Sequence, residues 1–184
     1  MEAKSRFGEE MAMSPTVISQ EKILCCFAES IFKKVRALKE LNLNKAQAQR
    51  LNESISEDIK KASTFKTHKK SKAAEKLYKT RKKADKSGFE LELEKQNWHT
   101  QSRFDGKNRR EGQFHVEHKT PVSALRDECR KCDSVDGILN ILNNNLVVVW
   151  ITKEENERLD KNKSRTKRPD PDLAYKMAGI VICE

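Results

Sequence analysis

Glu117 and His118 stand side by side in the stretch Gln113-Phe114-His115-Val116-Glu117-His118-Lys119-Thr120-Pro121, and Asn156 follows later, early in a segment that reads as a helix. A carboxylate and an amide offer oxygen atoms, the hard ligands that suit Mg²⁺ or Mn²⁺. An imidazole with an unperturbed pKa of about 6.5 can take a proton from water near neutral pH. Upstream, Arg103, Arg109 and Arg110 carry guanidinium groups, whose fork matches the non-bridging oxygens of a phosphate. The same residues also have plainer uses. A lone histidine on a strand is more often structural than catalytic, and Glu117 with His118 can simply satisfy hydrogen bonds at a strand end.

The elements around these residues can be read from period and punctuation. Phe114 and Val116 favour a strand that must stop near Pro121, which puts Glu117 and His118 at its end. If the strand is regular, His115 and Glu117 face one way and Val116 and His118 the other. Residues 123–132 and 133–142 read as two short helices, and Asn143-Asn144-Asn145 as a turn. Leu146 to Ile151 is an apolar, β-branched run of the kind that forms a buried strand. Directly after it, Thr152 and Glu155 have the spacing of a capping box, so Asn156 falls in the first turn of a helix continuing through Leu159. A helix packed across a hairpin brings its opening turn over the strand end, so Glu117, His118 and Asn156 can converge.

With Glu117, His118 and Pro121, an asparagine in the following turn and Asn156 on the helix, the segment from about 98 to 160 resembles the HNH (ββα-metal) endonucleases. Its most specific strings are HVEHKTPVSAL and NNLVVVWITKEENERL. The resemblance implies DNA phosphodiester hydrolysis with one divalent cation, Mg²⁺ or Mn²⁺. His118 would activate the water, and Glu117 and Asn156 would hold the metal. A loop asparagine, taken as Asn145 with Asn143 and Asn144 as open alternatives, would position the histidine, and the long interval leaves open whether one of these three or Asn156 is the ligand. Arg103 would serve as a phosphate clamp. This chain departs from the family pattern in carrying Glu where Asp is more usual, and in the long interval between His118 and Asn156. Some members carry structural zinc on two CxxC pairs. Here Cys129 and Cys132 form one pair only, so structural zinc is not expected.

The rest of the chain reads as support for that unit. Among 184 residues the formal net charge is +10 and 36% are charged, a balance that suits a polyanionic partner. Apolar residues at steps of three and four from Val17 to Leu41 mark one helix, and Asn44 with Gln47 caps a second that carries Leu51, Ile55 and Ile59. The stretch from Lys60 to Lys86 reads as a basic helix. From it Lys69, Lys70, Lys72, Arg81, Lys82 and Lys83 are expected to meet phosphates, with Arg109, Arg110, Lys163 and Arg165 elsewhere, although a solvated face explains a lysine run equally well. Phe89, Leu91 and Leu93 alternate with glutamates, which suggests a short strand. Trp98 and Trp150 are expected to pack rather than stack on bases.

The expected fold is therefore α+β: a helical, DNA-contacting or dimerising region over 1–88, then an HNH-like ββα unit with a basic tail over 89–184. Phosphodiester hydrolysis of DNA by a homodimer is the leading functional expectation. A non-catalytic basic nucleic-acid-binding protein and an RNA-directed nuclease are the rivals. No run approaches the roughly 20 apolar residues that span a bilayer, and no secretory signal or disulfide spacing is evident, so a soluble, cytoplasmic protein with no membrane partner is expected.

Overall fold

The computed structural model describes residues 19–84, 92–96, 98–105, 112–161 and 168–183. It is a helix-rich α+β fold with a three-stranded sheet. The first two helices form where periodicity and caps place them. Helix α1 spans Gln20–Glu40, capped by the Ser19 hydroxyl, and buries Leu24, Ala28, Ile31 and Val35 on one face. Helix α2 spans Lys45–Ser63 and opens with the full reciprocal capping box between Asn44 and Gln47. The two pack as a hairpin, tied partway along by Asp58, which accepts from Ser30 Oγ at 2.7 Å and pairs with Lys34.

The basic stretch after Lys60 does not form one helix. It completes α2, turns, forms the two-residue strand β1 at Lys69–Lys70, and re-enters a helix as α3, Lys72–Ala84. The Ser71 hydroxyl, which accepts from the Ala74 amide at 3.0 Å, marks the start of α3. The strand suggested by the Phe89 to Leu93 alternation is not present at its described end. Leu93–Lys95 is a 3₁₀ turn with Leu93 buried, while positions 89–91 lie outside the described residues. A one-turn helix α4 follows at Ser102–Asp105.

Strand β2, Phe114–His118, is followed by α5 (Val122–Cys129) and α6 (Val135–Asn144), and then by β3, Val148–Thr152. Helix α7, Lys153–Lys161, begins directly at the end of β3, and α8 covers Pro171–Met177. The sheet order is β1-β3-β2, with β3 parallel to β1 and antiparallel to β2. Every residue of β3 is buried, as its central position requires. After α8 the chain makes one isolated bridge, Ser71 with Ile182. Backbone bonds from Lys72 N to Val181 O and from Cys183 N to Lys70 O flank it and stitch the tail to the outer side of β1.

Three apolar clusters hold these parts. The first joins α1 and α2 to α5 and α6 through residues such as Leu24, Ile31, Ile55, Leu125, Ile138 and Leu142, so packing crosses position 88 freely. The second, on one face of the sheet, gathers Tyr78, Leu93, Phe104, Phe114 and Trp150 with edge-to-face rings. The third, on the other face, holds Val149, Ile151, Leu159, Tyr175 and Ile180. Among the described residues no helix is long and apolar enough to cross a membrane.

Candidate functional site

The register of β2 on β3 decides which way each side chain of the Glu-His pair turns. Glu117 lies opposite Val149 and His115 opposite Ile151, both members of the cluster under α7 and α8. Val116 lies opposite Trp150 and shares its face with Phe114, so His118, two residues on, turns to that second face. Adjacent residues at one strand end thus serve two sides of the sheet, which corrects the expected convergence of Glu117, His118 and Asn156: strand alternation sends the His118 side chain to the face away from α7.

On the α7 and α8 side, Glu117 is held by two cationic or polar neighbours. Arg168 Nη2 donates to Glu117 Oε1 at 2.6 Å, and His115 Nε2 lies 3.3 Å from Oε2. Burial alone would raise the Glu117 carboxyl, but the hydrogen bonds from His115 and Arg168 and the Arg168 charge outweigh it and hold the group below the usual carboxylate range. The Arg168 side chain is fully buried. Its Nη1 also donates to the carbonyls of His118 at 3.1 Å and Lys119 at 2.8 Å, and its guanidinium sits over the Tyr175 ring. One guanidinium therefore fixes both the acid and the backbone that carries the histidine.

On the other side, His118 is partly covered, and its buried Nε2 meets no protein partner. Burial pushes its imidazole below the ordinary histidine value, and nearby His68, Lys60 and His115 push the same way against the opposing pull of Glu117. With its value pushed below the ordinary one the ring is mainly neutral at pH 7, and the Nε2 that lacks a protein partner is shielded from solvent. His118 lines a cavity of about 950 Å³ between the end of α2 and the sheet, and His68, His99 and His115 line it too. These are all four histidines of the chain.

Asn156 does fall in the first turn of α7, three residues before the buried Leu159 and so on the same helix face. The helix start is fixed as its spacing predicts. Thr152 Oγ1 accepts from the Glu155 amide at 3.2 Å, and Glu155 Oε2 accepts from the Thr152 amide at 2.8 Å and from Ser71 Oγ at 2.7 Å. The buried Asn156 Oδ1 has no protein partner. The donors suited to a hard cation on this side are that amide oxygen and the Glu117 carboxylate, which keeps acceptor capacity beyond its two contacts. Among the described residues no three His, Cys, Asp or Glu are grouped to enclose an ion, so water or phosphate oxygens would have to complete a shell, as Mg²⁺ commonly accepts.

Several expected roles are corrected. Asn145 is the C-cap of α6, and its side-chain amide donates to Glu128 at 2.9 Å rather than to His118, whose backbone Arg168 holds instead. Arg81 is spent inside the fold, donating to Asp105 Oδ1 at 2.8 Å and to the Phe104 carbonyl at 3.1 Å and covering the Phe114 ring. Lys70 is shared between Glu75 and Glu94. Lys69 and Lys72 are exposed and can meet a phosphate. Arg109, Arg110, Lys163 and Arg165 lie outside the described residues, as do the side chains of Lys82, Lys83 and Arg103. Cys129 is buried in the first cluster, where burial pushes its thiol up to about 12.

Sequence reasoning missed Arg168, which sits at the end of a basic run and looks like its neighbours there. It also missed His68, which lies between lysines, and the exposure of Trp98. No family model matches this chain, and neither the curated proteins nor the solved structures yield a match.

Proposed function

We propose that the chain is a metal-dependent endonuclease that hydrolyses DNA phosphodiester bonds, with β2, β3 and α7 as a ββα catalytic unit. The observation that carries this reading is His118. It is neutral, sits at the end of β2, has a buried Nε2 with no protein partner, and lies in an antiparallel strand pair whose second strand runs directly into a capped helix. His118 takes a proton from a water molecule, and its low basicity keeps it in the accepting form at neutral pH. Glu117 and Asn156 would hold one divalent cation. That ion, when bound, supplies positive charge to offset the charge that builds on the phosphate.

Arg168 is a positioning residue. It donates to the Glu117 carboxylate and to the His118 and Lys119 carbonyls, and so fixes the strand end from which the two side chains leave on opposite faces of the sheet. Exposed Lys69, Lys72 and Lys76 add affinity for the phosphate backbone without reading sequence.

The test is conversion of supercoiled plasmid by the purified protein with Mg²⁺, with Mn²⁺ and with EDTA, beside a His118→Ala variant that still binds DNA. Nicked or linear product that needs metal and is lost in the variant supports the proposal. Intact plasmid under every condition, with salt-sensitive binding retained, would replace it with a non-catalytic DNA-binding protein.

A further inference from the structure

Glu117 has a second neighbour whose chemistry the hydrolytic reading leaves unused. His115 lies two positions before it on β2, and residues two apart on a strand face the same way. Its Nε2 stands 3.3 Å from Glu117 Oε2, whereas Arg168 reaches the other carboxylate oxygen at 2.6 Å. An ordinary N–H···O bond spans roughly 2.7–3.2 Å, so the His115 contact is long for one. It is not long for two ligands of one ion. A nitrogen and an oxygen each about 2.1 Å from a shared cation stand about 3.0 Å apart at a right angle and about 3.4 Å apart at a tetrahedral one.

The two atoms are also placed for an ion to reach them. Strand β2 is an edge of the sheet, and the His115 side chain is 37% exposed. Arg168 takes Oε1 and leaves Oε2 turned to the imidazole, which fixes the pair as one nitrogen and one oxygen donor. Nε2 ligates through its lone pair when the ring proton sits on Nδ1. Among the described residues no third His, Cys, Asp or Glu joins them, so water and phosphate oxygens fill the remaining positions.

Sites made of oxygen alone suit Mg²⁺ and Ca²⁺. An imidazole nitrogen shifts the preference towards first-row transition ions, with affinity rising from Mn²⁺ to Ni²⁺. We infer that His115 Nε2 and Glu117 Oε2 together hold a transition cation of the Mn²⁺ to Zn²⁺ class in preference to Mg²⁺. The inference rests on the cation site of the proposed function and adds a nitrogen donor to it.

The experiment is binding of the metal alone to the full-length protein, carrying no histidine tag and with no nucleic acid present. Calorimetric titrations with Mg²⁺, Mn²⁺ and Ni²⁺ compare the parent with His115→Ala, His115→Gln and, as a control at another exposed histidine, His99→Ala. Pulsed EPR of the Mn²⁺ complex reads whether an imidazole nitrogen couples to the metal. Ni²⁺ is expected to bind the parent more tightly than Mg²⁺ does. His115→Ala is expected to weaken Ni²⁺ by about tenfold or more, since loss of even an outer contact to a metal site costs that much. The nitrogen coupling should vanish in both His115 variants and persist in His99→Ala. Glutamine keeps an amide that can donate to Glu117, and melts in EDTA show that each variant folds.

Equal affinity for Mg²⁺ and Ni²⁺, or nitrogen coupling that survives both His115 changes or is lost with His99→Ala, overturns the inference. Metal-dependent plasmid cleavage that keeps its ion preference in His115→Ala would sink this inference and leave hydrolysis standing. Transition-ion binding through His115 in a protein that leaves plasmid intact would sink hydrolysis alone.

Discussion

Replacing Arg168 with alanine tests the centre of the site. The guanidinium is fully buried and donates to Glu117 Oε1 at 2.6 Å, Lys119 O at 2.8 Å and His118 O at 3.1 Å. Its removal strands a carboxylate whose side chain is only 12% exposed, together with two carbonyls. Breaking one side of a buried pair costs about 3–5 kcal/mol. Because Glu117 keeps some access to water, the lower end, about 3 kcal/mol, is expected. With a urea slope of about 2 kcal/mol/M, that moves the unfolding midpoint down by roughly 1.5 M. At about 2–4 °C per kcal/mol for a chain of this length, the melting temperature falls by about 6–12 °C. Glu117→Gln alone should cost less, since the amide still accepts a hydrogen bond. The two changes together should fall short of additivity by about 1.5–3 kcal/mol, the scale of a charged hydrogen bond. An Arg168→Ala protein within about 1 kcal/mol of the parent, or strict additivity with Glu117→Gln, would refute the assignment of Arg168 as the group that orders the strand end.

Other outcomes follow from the same geometry. His68 and His118 have folded-state values below the ordinary histidine value of about 6.5, so the unfolded chain binds more protons as pH falls beneath it. Unfolding free energy should be flat across pH 7 to 8 and decline below about 6.5, a slope that His68→Gln and His118→Gln should each reduce in urea titrations. Glu117 is shifted downward as well, which for an acid means that the fold favours its charged form. Its contribution should be complete above the ordinary carboxylate value and be lost as pH drops through its lower folded value, which Glu117→Gln should remove from the acid limb of the same titration. Glu155→Ala should destabilise by about 2–4 kcal/mol in chemical denaturation, because it orphans the buried Thr152 amide and the Ser71 hydroxyl at once. Lys72→Gln should lower the slope of log affinity for duplex DNA against log salt by up to about 0.9, whereas Arg81→Gln should lower the melting temperature and leave that slope unchanged.

The sequence made local features legible and left convergent ones hidden. Asn44 with Gln47 and Thr152 with Glu155 are bonds between residues three apart, so a short window holds all their physics. The strand at β3 is legible for a similar reason, since a run of β-branched residues bounded by turn residues has few alternatives. By contrast, nothing in Lys69-Lys70 marks a strand. Its extended form comes from pairing with Val149 and Trp150, a contact supplied by the other end of the chain. Arg168 could not be told from Lys163 or Arg165 in sequence, because its role depends on which residue of the run reaches Glu117. The four histidines come from three separate stretches, with His115 and His118 sharing β2, and they line one cavity only once α2, the turn at Trp98 and β2 are assembled. Trp98 shows the same limit, since whether an aromatic residue packs or stands in water depends on what folds over it.

The bonds that fasten the tail to β1 also bear on how the protein survives among its own copies. An open strand edge with free backbone donors and acceptors is a template for another chain's strand. Here Val181 and Cys183 occupy the Lys72 amide and the Lys70 carbonyl, and the Cys183 thiol reaches Glu75, 108 positions away in the sequence. This guard is made after every strand it protects. A chain trimmed at position 179 would keep all three strands and the histidine cavity, yet would expose the outer side of β1, so its characteristic failure would be self-association through that edge rather than loss of the fold.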